Sequence, residues 1–383
     1  MQQYLIPPEI YGETPANLFA LFSHFAAQPW AMLLDSAAPE HINSRYDILV
    51  AEPVATLEAK NGVSILTDEQ GSHSYSEDPF TVLNCALQRY FPQQVTSTLP
   101  FVGGALGYFG YDLGRYIEQL PTTAAADIAL PDLAVGFYQW ALILDKQLNQ
   151  LWYVDYPGQA EQGWQKLHSR LQHTAPVSAA FSLTTPWQAN MDKAGYVARF
   201  NQVQEYLLSG DCYQINLTQR FSAGYQGDEW QAYLQLRDKN AAPFSAFIRL
   251  PQGAVLSISP ERFLQLHNGK VETKPIKGTR PRGICPMTDA VEADNLRNSE
   301  KDRAENVMIV DLLRNDLGKV CLPGSVAVPQ LFAIESFPAV HHLVSTVTGT
   351  LSAQYSASDL LRGAFPGGSI TGAPKVRAMQ IIE

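Results

Sequence analysis

Apolar positions along the chain change period several times, and each change predicts a different element. Arg45–Val50 (RYDILV) and Gly62–Thr67 (GVSILT) are short aliphatic runs of strand composition, whereas Pro79–Tyr90 predicts a helix. The run AVGFYQWALILD followed by QLWYVDYPG predicts a hairpin of two buried strands, and a helix is expected over Gln159–Gln172. Beyond it, Tyr196, Phe200, Val203 and Leu207 recur at steps of four, three and four, which is one face of a helix that Gly210 would stop. The segment DCYQINLTQRF alternates, with Tyr213, Ile215 and Leu217 on one strand face and Cys212, Gln214, Asn216 and Thr218 on the other. That polar face meets either solvent or a wet cavity. Between the two halves, Thr174–Gln188 is poor in charge and rich in Ser, Thr, Ala and Pro, the composition of a linker. The pattern predicts two regions, 1–175 and 189–383, each mixing strands and helices.

Four stretches carry residues suited to chemistry. Asn268-Gly269 is a strong hairpin signal, and counting outward from it brings Glu261 opposite Ile276, so Glu261 and Lys277 share the open end of one hairpin. Strict alternation puts them on opposite faces, but Pro275 breaks the ladder and a bulge there would unite them. They could then serve as proton donor and nucleophile, or form a rim salt bridge. A helix is expected over Ser299–Gly318, capped by Ser299, with Asp302 and Glu305 one turn apart. Those carboxylates either hold Mg2+ or complement the helix dipole. Phe365–Met379 (FPGGSITGAPKVRAM) leads small residues into a helix start at Pro374, an anion cradle or a tightly packed turn; it lacks the Lys-Ser/Thr of a nucleotide loop. His341 and His342 are adjacent on a strand, so at most one enters a given site.

Composition narrows the field. The chain has 383 residues and a formal charge of -10, which argues against nucleic-acid binding, since that needs a dense cationic face. Four widely spaced cysteines without a CxxC suggest reduced thiols rather than a zinc or redox motif. The glycines of Phe101–Arg115 lack dinucleotide-loop spacing. No signal peptide is visible, and the most apolar stretch, Ala134–Leu144, is too short to span a bilayer, so a cytoplasmic protein without membrane contact is expected.

Taken together, DCYQINLTQRF, SPERF, PIKGTRPR, KDRAENVMIVDLLRND, VHHLVST and AFPGGSITGAPKVRAM resemble, in order, the signatures of the chorismate-utilising enzymes of the anthranilate synthase component I type. The resemblance spans nearly the whole chain. It implies an α+β fold in which two large antiparallel sheets pack as a sandwich with flanking helices. Lys277 implies the branch that replaces the 4-hydroxyl of chorismate with an amino group, a step toward 4-aminobenzoate and folate, because anthranilate synthases carry alanine there. In that branch the lysine attacks C2 as the 4-hydroxyl leaves, Glu261 protonates the departing hydroxyl, and ammonia from a glutamine amidotransferase partner then attacks C4 and displaces the lysine. By the same resemblance Gln214, His342, Thr371, Gly372 and Ala373 bind substrate, and Glu305 with Asp302 in support binds Mg2+. AMLLDS and NSRYD resemble a tryptophan pocket, with Asp35 in place of Glu, made of Ser36, Asn43, Ser44, Arg45, Tyr46, Pro243, Phe244 and Ser245. The chain stops at MQIIE inside a predicted helix, whereas family members continue for several tens of residues. A C-terminally truncated enzyme of doubtful activity, lacking strands, is therefore expected. The alternatives are anthranilate synthase component I, and a non-catalytic form that only binds tryptophan or the partner.

Overall fold

The computed structural model describes residues 1–8, 18–37, 43–93, 95–173, 176, 178–337 and 339–383. It separates into two compact units, the first formed by Met1–Leu113, Ala126–Pro186 and Ala223–Pro260, the second by Gly114–Ala125, Trp187–Ser222 and Glu261–Glu383. The units are interleaved in sequence, so segment 223–260 belongs with the first rather than with the 189–383 block expected from composition. Of the expected linker, Thr174, Ala175 and Val177 lie outside the described residues; Ser182–Leu183 within it forms a short strand.

In the first unit, β1 (Gln2–Leu5), β2 (Met32–Asp35), β3 (Tyr46–Val50), β9 (Trp140–Asp145), β10 (Gln150–Asp155), β16 (Phe244–Leu250) and β17 (Gly253–Ser259) form an antiparallel sheet in the order β1-β10-β9-β3-β2-β16-β17. A smaller sheet is ordered β6-β5-β4-β8-β7, from β4 (Ala55–Lys60), β5 (Val63–Asp68), β6 (Gly71–Tyr75), β7 (Gly104–Phe109) and β8 (Leu133–Tyr138). Alternate residues of the large sheet serve two cores. Met32, Ile48, Val50, Ile143 and Ile248 pack with Leu106, Ala134 and Tyr138 of the small sheet. Their neighbours Leu33, Leu49, Leu142 and Phe247 pack with Leu18 and Phe22 of α1 (Leu18–Phe22), with Trp164 of α3 (Ala160–Leu171) and with Trp230 and Tyr233 of α5 (Glu229–Asn240). Burial on both faces explains why YDILV and WALILD read as nearly unbroken apolar runs. It also corrects one expectation. AVGFYQWALILD is two strands, β8 and β9, which belong to different sheets and part at Gln139; the hairpin is β9 with β10, Asp145 facing Gln150. The remaining helix of this unit, α2 (Pro79–Tyr90), has the expected bounds and is capped by Asp78.

The second unit is built on β22 (Val340–Thr350). One edge pairs with β21 (Ala327–Ser336); the other pairs with β19 (Lys270–Thr273) and then β20 (Ile276–Pro281), and β18 (Gln265–His267) completes the predicted hairpin with His267 facing Lys270. Helix α7 (Glu300–Gly318) packs Ile309, Val310, Leu313 and Leu317 against Val271 and Val347 of this sheet, each aliphatic side chain contributing roughly 1.5–3 kcal/mol of burial. Inside that interface Asn306 is fully buried, and its amide is satisfied by the Leu343 carbonyl and the Ser345 hydroxyl. Three further helices, α6 (Pro286–Asn298), α8 (Ala357–Ala364) and α9 (Lys375–Ile382), flank it, and α4 (Lys193–Leu208) carries the predicted apolar face. That face is not buried: Phe200 is 46% exposed. The fold is α+β, with two face-to-face sheets in the first unit and a separate sheet under helices in the second. Among the described residues no helix is long and apolar enough to cross a membrane, and all four cysteines are free.

Candidate active site

The chemistry-bearing residues of the second unit converge where β20, α7 and the loop before α9 meet. β20 opposes β22 with Ile276 facing Val344 and Thr279 facing His342, so one extra residue is inserted at Lys277-Gly278. Gly278 is required there. Its φ is +91°, and a Cβ would stand 2.9 Å from the Asp302 Cβ and 3.0 Å from a Leu296 methyl. The bulge turns Lys277 so that its Nζ donates to the Ser369 carbonyl at 3.2 Å and lies 3.8 Å from Glu305 Oε1. Glu261 reaches the same spot. Burial raises its pKa above the ordinary carboxylate value, while the Ser369 hydroxyl, the Lys277 charge and the Ile276 backbone N–H pull the other way. The counting register from Asn268-Gly269 thus brought Glu261 to Ile276, and the bulge near Pro275 united it with Lys277.

Gln214 enters from β13 (Gln214–Ile215), which pairs with β23 (Gly372–Ala373). Its Nε2 donates to Glu305 Oε1 at 3.1 Å, and its Oε1 is buried with no hydrogen-bond partner among the described residues. Asn216, two residues on, donates to the Ser369 carbonyl at 2.7 Å. The polar strand face therefore turns inward, while Tyr213 of the apolar face is 74% exposed. Gly372 holds this pairing with φ +152°; a Cβ would lie 2.1 Å from the Gln214 carbonyl oxygen. Thr371 is fully buried, and its hydroxyl donates to the carbonyls of Gly367 and Gly368, so it shapes the loop. Ala373 accepts from the Tyr213 N–H at 2.7 Å.

The histidines separate as strand geometry requires. His342 Nδ1 meets the Thr279 hydroxyl at 2.9 Å beside the bulge, and burial lowers its pKa. His341 is held by Ser336 at 2.8 Å and Asp289 of α6 at 2.9 Å, away from Lys277. Asp302 and Glu305 also part company. Asp302 is buried and ion-paired to Arg280 at 2.8 Å, and its backbone N–H donates to the Ser299 cap. Glu305 alone faces the cleft. Among the described residues no group of three or more His, Cys, Asp or Glu gathers as a metal site.

Glu305 and Gln214 line a cleft of about 780 Å³ in this unit. Its walls are Tyr196, Phe200 and Leu207 of α4 on one side and Lys301 and Met308 of α7 on the other. Lys277 and Glu261 do not line it; Lys277 adjoins it through Glu305. An amine, a carboxyl whose pKa burial raises, and a carboxylate on an apolar-walled cleft suit nucleophilic displacement of a leaving group that needs a proton. Sequence reading missed Asn216, Ser369 and Arg280. Asn216 shares the strand face of Gln214 and was within reach of the alternation, whereas Ser369 acts partly through its carbonyl, which no residue type reveals.

The expected tryptophan-pocket residues gather in the first unit. The Ser36 N–H donates to Asp47 at 2.9 Å and its hydroxyl to the Tyr46 carbonyl at 3.1 Å. Arg45 lies over the Tyr46 ring and pairs with Asp145 at 2.7 Å. Ser245 faces Asp35 across β2 and β16, with Phe244 and Pro243 leading into it and Asn43 beside Ser44. The Ser44 hydroxyl is buried without a hydrogen-bond partner among the described residues.

A family model described as chorismate binding enzyme matches residues 30–383, and the chain belongs to that family. It is 56% identical over 364 residues to aminodeoxychorismate synthase component 1 of Klebsiella aerogenes, covering 94% of this chain and 80% of that protein. The component 1 of Escherichia coli K12 is 54% identical over 364 residues, with 94% and 79% covered. Among solved structures, anthranilate synthase component I from Streptococcus pneumoniae TIGR4 aligns with a TM-score of 0.79 at 29% identity over 90% of this chain and 77% of that one.

Proposed function

We propose that this chain aminates chorismate at C4 to give 4-amino-4-deoxychorismate, acting as the chorismate-binding component of a two-component enzyme in the cytoplasm whose glutamine amidotransferase subunit supplies ammonia. The observation that carries the reading is the amine of Lys277 set by the bulge between Glu305 and Ser369, with a carboxyl of raised pKa beside it. With its proton released to water, the Lys277 amine forms a bond to ring C2, the two ring double bonds shift, and the C4–O bond breaks. Glu261 gives its proton to the departing hydroxyl, which leaves as water. Ammonia then bonds to C4, the double bonds return, and the C2–N bond to Lys277 breaks. The Gln214 amide supplies a neutral acceptor at the cleft where a stronger base would activate water instead.

Glu305 is the residue that would hold Mg2+, and the donor set fits in part. Mg2+ takes one or two protein carboxylates, with substrate oxygens and waters completing its shell. Asp302 is committed to Arg280 and is assigned a supporting role through that pair. When bound, the ion supplies positive charge to the ring carboxylate. Gln214, His342 and the loop Thr371-Gly372-Ala373 are assigned to shaping the substrate site.

Incubation of the chain with chorismate and ammonium ions, read by chromatography, tests the assignment. Aminodeoxychorismate without pyruvate is expected; stoichiometric pyruvate with anthranilate would overturn it. A tryptophan pocket in the first unit, formed by Ser36, Asn43, Ser44, Arg45, Tyr46, Pro243, Phe244 and Ser245, is a second assignment. It is favoured by the unpartnered hydroxyl of Ser44. Calorimetric titration with L-tryptophan should give one site, and absence of heat at millimolar ligand would remove it.

A further inference from the structure

Asp316, on α7 about three turns beyond Glu305, is 1% exposed and carries two ammonium groups. Lys375 Nζ lies 2.6 Å from one of its oxygens and Lys319 Nζ 3.0 Å from the other. Both lysines reach past it to the end of α8, Lys375 to the Ala364 carbonyl at 2.7 Å and Lys319 to the Gly363 carbonyl at 3.1 Å. Lys375 is also the first residue of α9. The residues between Ala364 and Lys375 are the loop whose Ser369 carbonyl accepts from Lys277 and Asn216. One buried ammonium thus closes both ends of that loop and ties them to the helix that bears Glu305.

Beside Glu261, Lys277 lies between Glu305 on α7 and the Ser369 carbonyl on the loop; Gln214 of β13 and nearby Asn216 contact that carboxylate and that carbonyl at the cleft, while the far ends of helix and loop are joined through Asp316. We propose that the Asp316–Lys375 ion pair is the positioning element that fixes the separation of helix and loop, so that it sets the placement of the Lys277 amine without touching substrate. Lys375 and Asp316 are positioning residues, and the inference rests on the reading of Lys277 and the 365–374 loop as the reacting site. A buried pair is a suitable pin because separating its partners leaves a buried charge uncompensated. Burial lowers the pKa of Lys375 while the Asp316 charge and hydrogen bond oppose that shift.

The test uses the full chain and an amine-acylating reagent, with modification at Lys277 read by peptide mass spectrometry against exposed Lys193 and Lys239. The double variant Asp316→Leu with Lys375→Met removes both charges together, which avoids leaving one buried alone. It is expected to melt within a few degrees of the parent while acylation of Lys277 rises more than about threefold. In turnover, kcat should fall about tenfold or more with KM for chorismate nearly unchanged, because misplacement of the nucleophile acts on the reacting step. Should the double variant not fold, Asp316→Asn keeps the shape and weakens the pair, and the same rise above about threefold is expected. Acylation of Lys277 that stays within about threefold of the parent in a folded variant would overturn the pin. Parent protein that makes no aminodeoxychorismate would overturn the functional reading instead, with the acylation comparison still deciding the pin.

Discussion

Each unit sets a pair of carboxylates beside cationic side chains, and the two pairs are treated in opposite ways. In the first unit, Asp35 and Asp47 are 2% and 1% exposed. Asp35 receives the Arg237 guanidinium and the Tyr233 hydroxyl, and Asp47 receives Lys146 at 2.9 Å and the Ser36 N–H at 2.9 Å. In the second unit, Glu261 and Glu305 are half-buried, the cation between them stands 3.8 Å from Glu305, and the neighbouring Gln214 oxygen has no partner among the described residues. A saturated ion pair lowers the cost of burial and leaves nothing to react. The second cluster shares one lysine between two carboxylates, raises the pKa of one of them, and leaves the Gln214 oxygen without a partner among the described residues. The difference separates charges that hold strands and helices together from polar groups placed at a cleft.

Breaking the open cluster should abolish chemistry while sparing the fold. Lys277→Ala is expected to lower turnover roughly 10⁴-fold with a melting temperature near the parent's; product formation within tenfold of the parent would remove the lysine from the reaction. Glu261→Gln should cost about a thousandfold, within the range of a general acid. Parent activity should also decline as pH rises through the raised pKa of Glu261, because the deprotonated carboxyl has no proton to give. Breaking the closed cluster should do the reverse. Asp35→Ala strands Arg237 in a largely buried setting and should destabilise by about 3 kcal/mol, seen as a lower midpoint in urea, with kcat of the remaining folded protein little changed.

Gly372→Ala sharpens the comparison from the loop side. The added carbon collides with the Gln214 carbonyl and holds a φ of +152° that costs about 1–3 kcal/mol, so β13 and β23 should part and KM for chorismate should rise. The smallest effect is electrostatic. With its folded pKa raised, Glu261 contributes stability that is present below the unfolded carboxylate pKa and lost as pH rises through the folded one. Glu261→Gln should therefore melt slightly higher than the parent at pH 8 and not at pH 4; equal differences at both would assign the effect to packing.

Much of this was legible in the sequence because it is local. The cap at Ser299, the helix at Pro79–Tyr90 and the hairpin at Asn268-Gly269 follow from turn chemistry and short-range hydrogen bonds, and so does the meeting of Glu261 with Ile276. The ordered motifs and the one lysine in PIKGT carried the family and the amination reading. Long-range pairing decided what the sequence left open or read otherwise. Gln139 divides an unbroken apolar run between two sheets, because both runs are buried on both faces and periodicity cannot assign a sheet. Asp302 and Glu305, equivalent as helix neighbours, part because Arg280 arrives from β20 at one of them. The inward turn of Gln214 and Asn216 depends on Gly372 and Ser369, about 150 residues away along the chain. Residue types and spacing selected the reacting groups. Their separation, burial and spare hydrogen-bonding capacity, which determine whether a carboxylate is a proton donor, a ligand or half of an ion pair, exist only once distant strands have met.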